Sequence, residues 1–166
     1  MEVDMGVTGD FGKLAELIKK VGAAATPEWR LRLSKNLAQE ARTQMVNGFI
    51  AQRDPYGTPW KPTLRGGQIL RDKAILMNSV KPSATATSFE LSTNVVYAGV
   101  HQRGATIKAK AGRYLKFKVG GKWAQKRQVV IPQRRFMPEA GDAGPIWMTA
   151  FRRVADEQIR KTIHGG

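Results

Sequence analysis

Two histidines, His101 and His164, are the side chains that could exchange protons or bind a metal near neutral pH. Neither is placed for either task. His164 stands three residues from the C-terminal end, and His101, in VHQRG, has no histidine, cysteine or carboxylate close to it in sequence. A ring without such a partner serves better as a hydrogen-bonding group at a strand end. The carboxylates that fall in loops and edges, Asp54, Asp72, Glu90, Glu139 and Asp142, form no pair at a catalytic spacing. There is no G-x-S-x-G elbow, no phosphate-cradling glycine loop and no dinucleotide fingerprint. Cysteine is absent, which removes thiolate nucleophiles and thiolate metal sites. The expectation is a protein that is not an enzyme and carries no cofactor or metal.

What remains is charge, and it is concentrated. No acidic residue lies between Glu90 and Glu139, whereas Arg103, Lys108, Lys110, Arg113, Lys116, Lys118, Lys122, Lys126, Arg127, Arg134 and Arg135 all do. These supply most of a formal net charge of +15 over 166 residues. A pI near 10.6 draws the chain to polyanions over long range. Tyr114, Phe117 and Trp123 are mixed among the cations, which gives the ingredients of phosphate contact with base stacking. Charge alone leaves three readings open: nucleic acid, an acidic face on a protein partner, or a solvated surface. No helix-turn-helix, zinc-finger or RNA-recognition signature is visible.

The elements that must carry these residues fit one domain spanning 1–166. An apolar content of 42% and a charged content of 25% suit a folded chain able to bury a core. No run of about 18 apolar residues is present, so no membrane partner is expected, and the opening MEVDMGVTGDFGK lacks the pattern of a secretory signal. Glu2 to Thr8 alternates as a strand, and Phe11, Leu14, Leu17, Ile18 and Val21 follow at helical spacing. Thr26-Pro27-Glu28 is a strong helix start, and Leu33, Leu37, Ala38, Ala41, Met45 and Phe49 continue a stripe to about Ile50. The helix should end in QRDPYGTPWKP, a rigid loop in which Tyr56 and Trp60 are aromatic anchors and Trp60 packs on the core. Leu64 to Leu70 reads as irregular, with one or two helical turns over Arg71 to Met77.

Ser79 to Pro82 and Ser88 to Ser92 read as a hairpin, and a helical turn follows within Asn94 to Val100. Leu115, Phe117 and Val119 alternate with Tyr114, Lys116 and Lys118, then Gly120-Gly121 turns the chain back through Lys122 to Ile131. Residues 105–131 are therefore an extended basic β-hairpin arm, with Trp123 expected beside Phe117 on its apolar face. A C-terminal helix begins near Asp142 to Pro145 and presents Ile146, Trp147, Ala150, Phe151, Val154 and Ile159. The fold class is α+β: a small antiparallel β-sheet with a projecting β-hairpin, packed against a long helix from the N-terminal half and a C-terminal helix.

Three phrases stand in order: Asp54, Pro55, Gly57, Pro59 and Trp60; then Tyr97, Ala98, His101, Gln102 and Gly104; then Ile131, Pro132, Arg134 and Phe136. In that order, with these elements between them, they resemble the tail-completion, or virion morphogenesis, family of tailed bacteriophages, the group typified by protein G of phage Mu. The resemblance spans Phe11 to about Arg160. It departs from the family at Arg103, where an aromatic is common, and at Arg135, where a proline is common. The arm between Gly104 and Ile131 is long and basic here.

The resemblance implies a connector- or tail-terminator-like fold and a structural role in the neck or the head-proximal end of the tail. It implies a ring, hexameric in related proteins, that takes part in tail completion and head–tail joining. Implied partners are further copies of the chain, adjacent neck, tail-terminator or tail-tube proteins, and DNA in the lumen. The implied location is the virion, after assembly in the host cytoplasm. Residues assigned to subunit or partner interfaces are Tyr56, Trp60, Tyr97, His101, Gln102, Lys116, Lys118, Trp123, Arg134, Arg135 and Phe136. Among them, Tyr97, His101 and Gln102 would fix the turn into the arm, and Arg134 and Phe136 its exit. A nucleic-acid-binding module using the basic hairpin is the alternative.

Overall fold

A computed structural model describes residues 25–164, apart from 64, 65, 72, 120 and 140. The strand and helix expected over Glu2 to Val21 lie outside the described residues. The longest element, helix α1 (Pro27–Ala51), starts where its signals say it should. Thr26 Oγ1 accepts from the Trp29 amide at 3.2 Å, and Pro27 occupies the first turn, where a missing N–H costs nothing. At the other end Gln52 turns left-handed (φ 53°), and its amide caps the Gly48 and Phe49 carbonyls. The stripe from Leu33 to Phe49 is buried, with Trp29 and Ser34 added to it.

Helix α2 (Ile75–Ser79) is one short turn and leads into strand β1 (Lys81–Ala84), which pairs antiparallel with β2 (Phe89–Ser92). Phe89 and Leu91 face inward, as their alternation requires. Helix α3 (Ala98–Arg103) precedes the arm, and helix α4 (Gly144–His164) closes the chain. Helices α1 and α4 run antiparallel. Trp29 Nε1 donates to Thr162 Oγ1 (2.7 Å), Asn36 Nδ2 to Gln158 Oε1 (3.1 Å), and Arg153 meets Glu40 (3.1 Å), so later residues of α1 face earlier ones of α4. Phe89 stacks edge-on against Phe151 at 5.6 Å, and Phe151 against Trp147 at 6.1 Å, which joins the hairpin, α1 and α4 around one apolar core.

The fold is α+β with antiparallel strands, as expected, and among the described residues the strands pair as three two-stranded ribbons: β1–β2, β3–β6 and β4–β5. The arm accounts for two of them. Strand β3 (Ala105–Lys108) pairs with β6 (Gln128–Ile131), and β4 (Leu115–Val119) pairs with β5 (Lys122–Lys126) further out. Residues 109–114 separate β3 from β4, while Arg127 alone separates β5 from β6. Ala109 donates to the Arg127 carbonyl at 2.8 Å and carries the ladder across that junction.

Trp123 is not beside Phe117. Val119 pairs with Lys122, so Trp123 opposes Lys118 and Phe117 opposes Ala124. Residues directly opposed across a ladder share a face, so the two-residue turn places Trp123 on the lysine face, where it is 70% exposed.

Candidate functional site at the root of the arm

The three phrases noticed in the sequence meet at one place, where the arm leaves and re-enters the body. The loop after α1 is organised by Asp54, whose Oδ1 accepts from the Tyr56 amide (3.0 Å) and the Thr58 amide (2.7 Å). That turn sends Trp60 inward, edge-on to Phe49 at 5.3 Å, with Nε1 donating to the Arg135 carbonyl at 2.8 Å. Tyr56 reaches the other way. Its hydroxyl donates to the Asp142 carbonyl (3.0 Å) and accepts from the Glu139 amide (3.1 Å), while Arg135 lies over its ring at 5.9 Å and pairs with Glu139 at 2.9 Å. One loop thus touches both the strand leaving the arm and the start of α4.

Helix α3 supplies the second contact. The Gln102 side chain donates to the Met137 carbonyl at 2.7 Å and accepts from the Phe136 and Met137 amides at 3.1 and 3.2 Å. The Arg134 amide donates to the His101 carbonyl at 2.8 Å, and Gln133 Nε2 to the Gln102 carbonyl at 3.1 Å. A segment with no strand neighbour has backbone groups satisfied by the Gln102 side chain, the His101 carbonyl and the Trp60 indole. Gly104 makes the close approach possible. It has φ 74°, and a Cβ there would stand 3.0 Å from the Gln133 nitrogen and 3.2 Å from the Ile131 oxygen.

Arg134 is buried, which for a guanidinium requires partners. Its Nε donates to the Lys61 carbonyl (3.0 Å) and a terminal nitrogen to the Pro62 carbonyl (3.2 Å), so it ties the exit strand to the loop after α1. Both partners are neutral, and burial lowers its pKa from the usual arginine value. His101 faces Tyr97 edge-on at 5.8 Å. Its Nδ1 is buried and has no hydrogen-bond partner among the described residues, so the expected ring-to-backbone bond from that nitrogen is not formed. Burial, then the nearby Arg134 charge, pushes the His101 pKa down and favours the neutral ring.

His101, Tyr97 and Arg134 line a cleft of about 360 Å³ with Thr63, Leu70, Lys73 and Ile75. Among the described residues no carboxylate lines it. Among the described residues no group of three or more histidines or carboxylates could hold a metal. No described helix is long and apolar enough to cross a membrane.

Of the residues assigned to interfaces, Trp60, Arg134 and Phe136 are buried in the chain's own body. Tyr56, His101, Gln102 and Arg135 are half-buried at the root. Tyr97, Lys116, Lys118 and Trp123 are exposed, the last three far out on the arm. Gln133 was not singled out from sequence, and Asp54 was named without its role in the turn, because a side chain that bonds to backbone leaves no periodic trace.

The chain belongs to the phage virion morphogenesis family, whose profile matches residues 10–144. No curated protein and no solved structure matches it.

Proposed function

We propose that the protein forms a closed, hexameric ring in the neck or at the head-proximal end of the tail, and there takes part in tail completion and head–tail joining. The observation that carries this reading is the contrast between the arm's root and its outer part. The root is bound to the body by at least seven hydrogen bonds through Trp60, Gln102, Gln133 and Arg134. The outer ribbon β4–β5 contributes no residue to the core, and its Leu115, Phe117 and Val119 are only half-buried. An isolated two-stranded ribbon is marginal in water. A firmly aimed ribbon with an apolar face of its own is suited to docking on a neighbouring subunit, and heterologous docking of this kind closes into rings by rotation.

The test replaces residues 109–127 with Asn-Gly, so that Lys108 and Gln128 flank a two-residue hairpin turn. The shortened chain should fold, remain monomeric, and fail to complement a phage lacking the gene. The intact chain should show a solution mass six times the 18.4 kDa of one chain. Normal particles from the shortened chain would overturn the role given to the arm.

A further inference from the structure

The outer ribbon has two unlike faces. Leu115, Phe117 and Val119 lie on one, with Lys126, Ala124 and Lys122 opposite them. Tyr114, Lys116, Lys118, Trp123, Gln125 and Arg127 lie on the other, by the register that opposes Lys118 to Trp123 and Lys116 to Gln125. That second face carries two aromatics, three cations and one amide. It carries no acid, and the sequence holds none from Leu91 to Pro138.

The aromatics are not buried and not random in placement. Trp123 is 70% exposed and Tyr114 50%. Lys118 Nζ lies 5.1 Å from the Trp123 ring centre, and Arg127 Cζ 5.6 Å from that of Tyr114. Each ring therefore has a cation near it and keeps half or more of its residue's surface exposed. Trp123 stands opposite Lys118, four residues along the strand from Tyr114, which separates the two pairs by roughly 14 Å at about 3.4 Å per residue. Tryptophan left this exposed loses the burial that ordinarily keeps it in a protein.

We propose that this face binds single-stranded nucleic acid, with bases stacked on the exposed rings of Trp123 and Tyr114 and the sugar–phosphate chain running along Lys116, Lys118 and Arg127. An acidic protein surface would use the cations and leave the two open rings without a role. A duplex would meet the cations too, but its bases are already stacked on one another and present no free face to the rings. Single strands offer both phosphates and open bases, which matches the pairing of ring and cation at two places. The site is independent of the ring reading above, since it needs only the arm of one chain.

The measurement uses the purified full-length chain and a decamer of thymidylate, with the uridylate decamer as the RNA counterpart. The other three tryptophans, Trp29, Trp60 and Trp147, are buried, so quenching of the exposed indole reports contact at Trp123. Binding at about 50 mM salt should quench the emission and weaken as salt rises. For variants that lack the indole, affinity is read from the anisotropy of a dye-labelled decamer: Trp123→Ala should weaken binding by about tenfold, whereas Trp123→Phe should retain most of it. Lys116→Ala with Lys118→Ala should reduce the slope of log affinity against log salt by about 1.4. The proposal is overturned if the decamers do not bind at low salt, if Trp123→Ala binds as tightly as the parent, or if duplex DNA or polyglutamate competes as well as the single strand. Those outcomes would leave the fate of the shortened-arm chain in particle assembly unchanged.

Discussion

Gln102 and Met137 exchange a reciprocal pair of hydrogen bonds: the glutamine amide donates to the Met137 carbonyl at 2.7 Å, and its oxygen accepts from the Met137 amide at 3.2 Å. One side chain does for this segment what a neighbouring strand does in a ladder. Gln102→Ala leaves two amides and a carbonyl without partners at a half-buried site. The expected cost is about 3 kcal/mol, since each orphaned backbone group costs about 1–3 kcal/mol and water recovers part of it. Chemical denaturation measures it. Gln102→Glu, which keeps the acceptor and loses the donor, should fall between the two.

Phe136 is 2% exposed and lies 5.5 Å from Phe49, beside Trp60 in the same cluster. Phe136→Ala should cost about 3–5 kcal/mol through lost burial and the cavity left behind. Phe136→Leu should cost about half as much. Equal losses in the two variants would mean that the site collapses around either one.

Gly104→Ala tests the geometry of the arm's entry. A Cβ at φ 74° would press on the Gln133 nitrogen and the Ile131 oxygen, both of them backbone atoms that cannot swing aside. A loss of roughly 1–3 kcal/mol is expected in thermal unfolding. Hydrogen exchange should rise at β3 and β6 while α1 and α4 stay protected.

His101 gives the fold a pH dependence whose sign follows from its burial. The unperturbed value is 6.5, and burial with help from Arg134 holds the folded value lower. Between the two values the unfolded chain binds a proton that the folded chain refuses, so stability falls as pH drops. It is fully present above about pH 6.5 and is lost as pH falls through that value towards the folded one. Urea midpoints at about pH 7.5 and pH 5.5 should differ in that direction, and His101→Gln should shrink the difference.

Much of the body was legible because its signals are local. Thr26-Pro27-Glu28 started α1 at the right residue, and the alternation around Phe89 and Leu91 gave β2 its inward face. The arm was only half legible. Its return strand has loose alternation, so the pattern put Trp123 with Phe117, whereas the register set by a two-residue turn puts it with Lys118. The pairing of β3 with β6 joins residues twenty or more apart around an inner hairpin, and nothing in ATIK announces it. The three phrases at the root drew notice by their residue types and order. The bonds that unite them, from Asp54, Gln102, Gln133 and Arg134 to backbone, have no sequence signature. Trp60 and Phe136 stood out as aromatics, and their burial followed the ordinary rule.

The arm leaves the body at Gly104 and returns within van der Waals reach of it at Ile131 and Gln133. Its ends are fixed together by the root, so the stretch between them is free to vary in length without moving α1, α4 or the hairpin they enclose. Doubling such an excursion costs only about 0.6 kcal/mol in closure entropy. Selection can therefore lengthen, shorten or recharge the arm to suit a new neighbour while the body stays as it is, one insertion or deletion at a time.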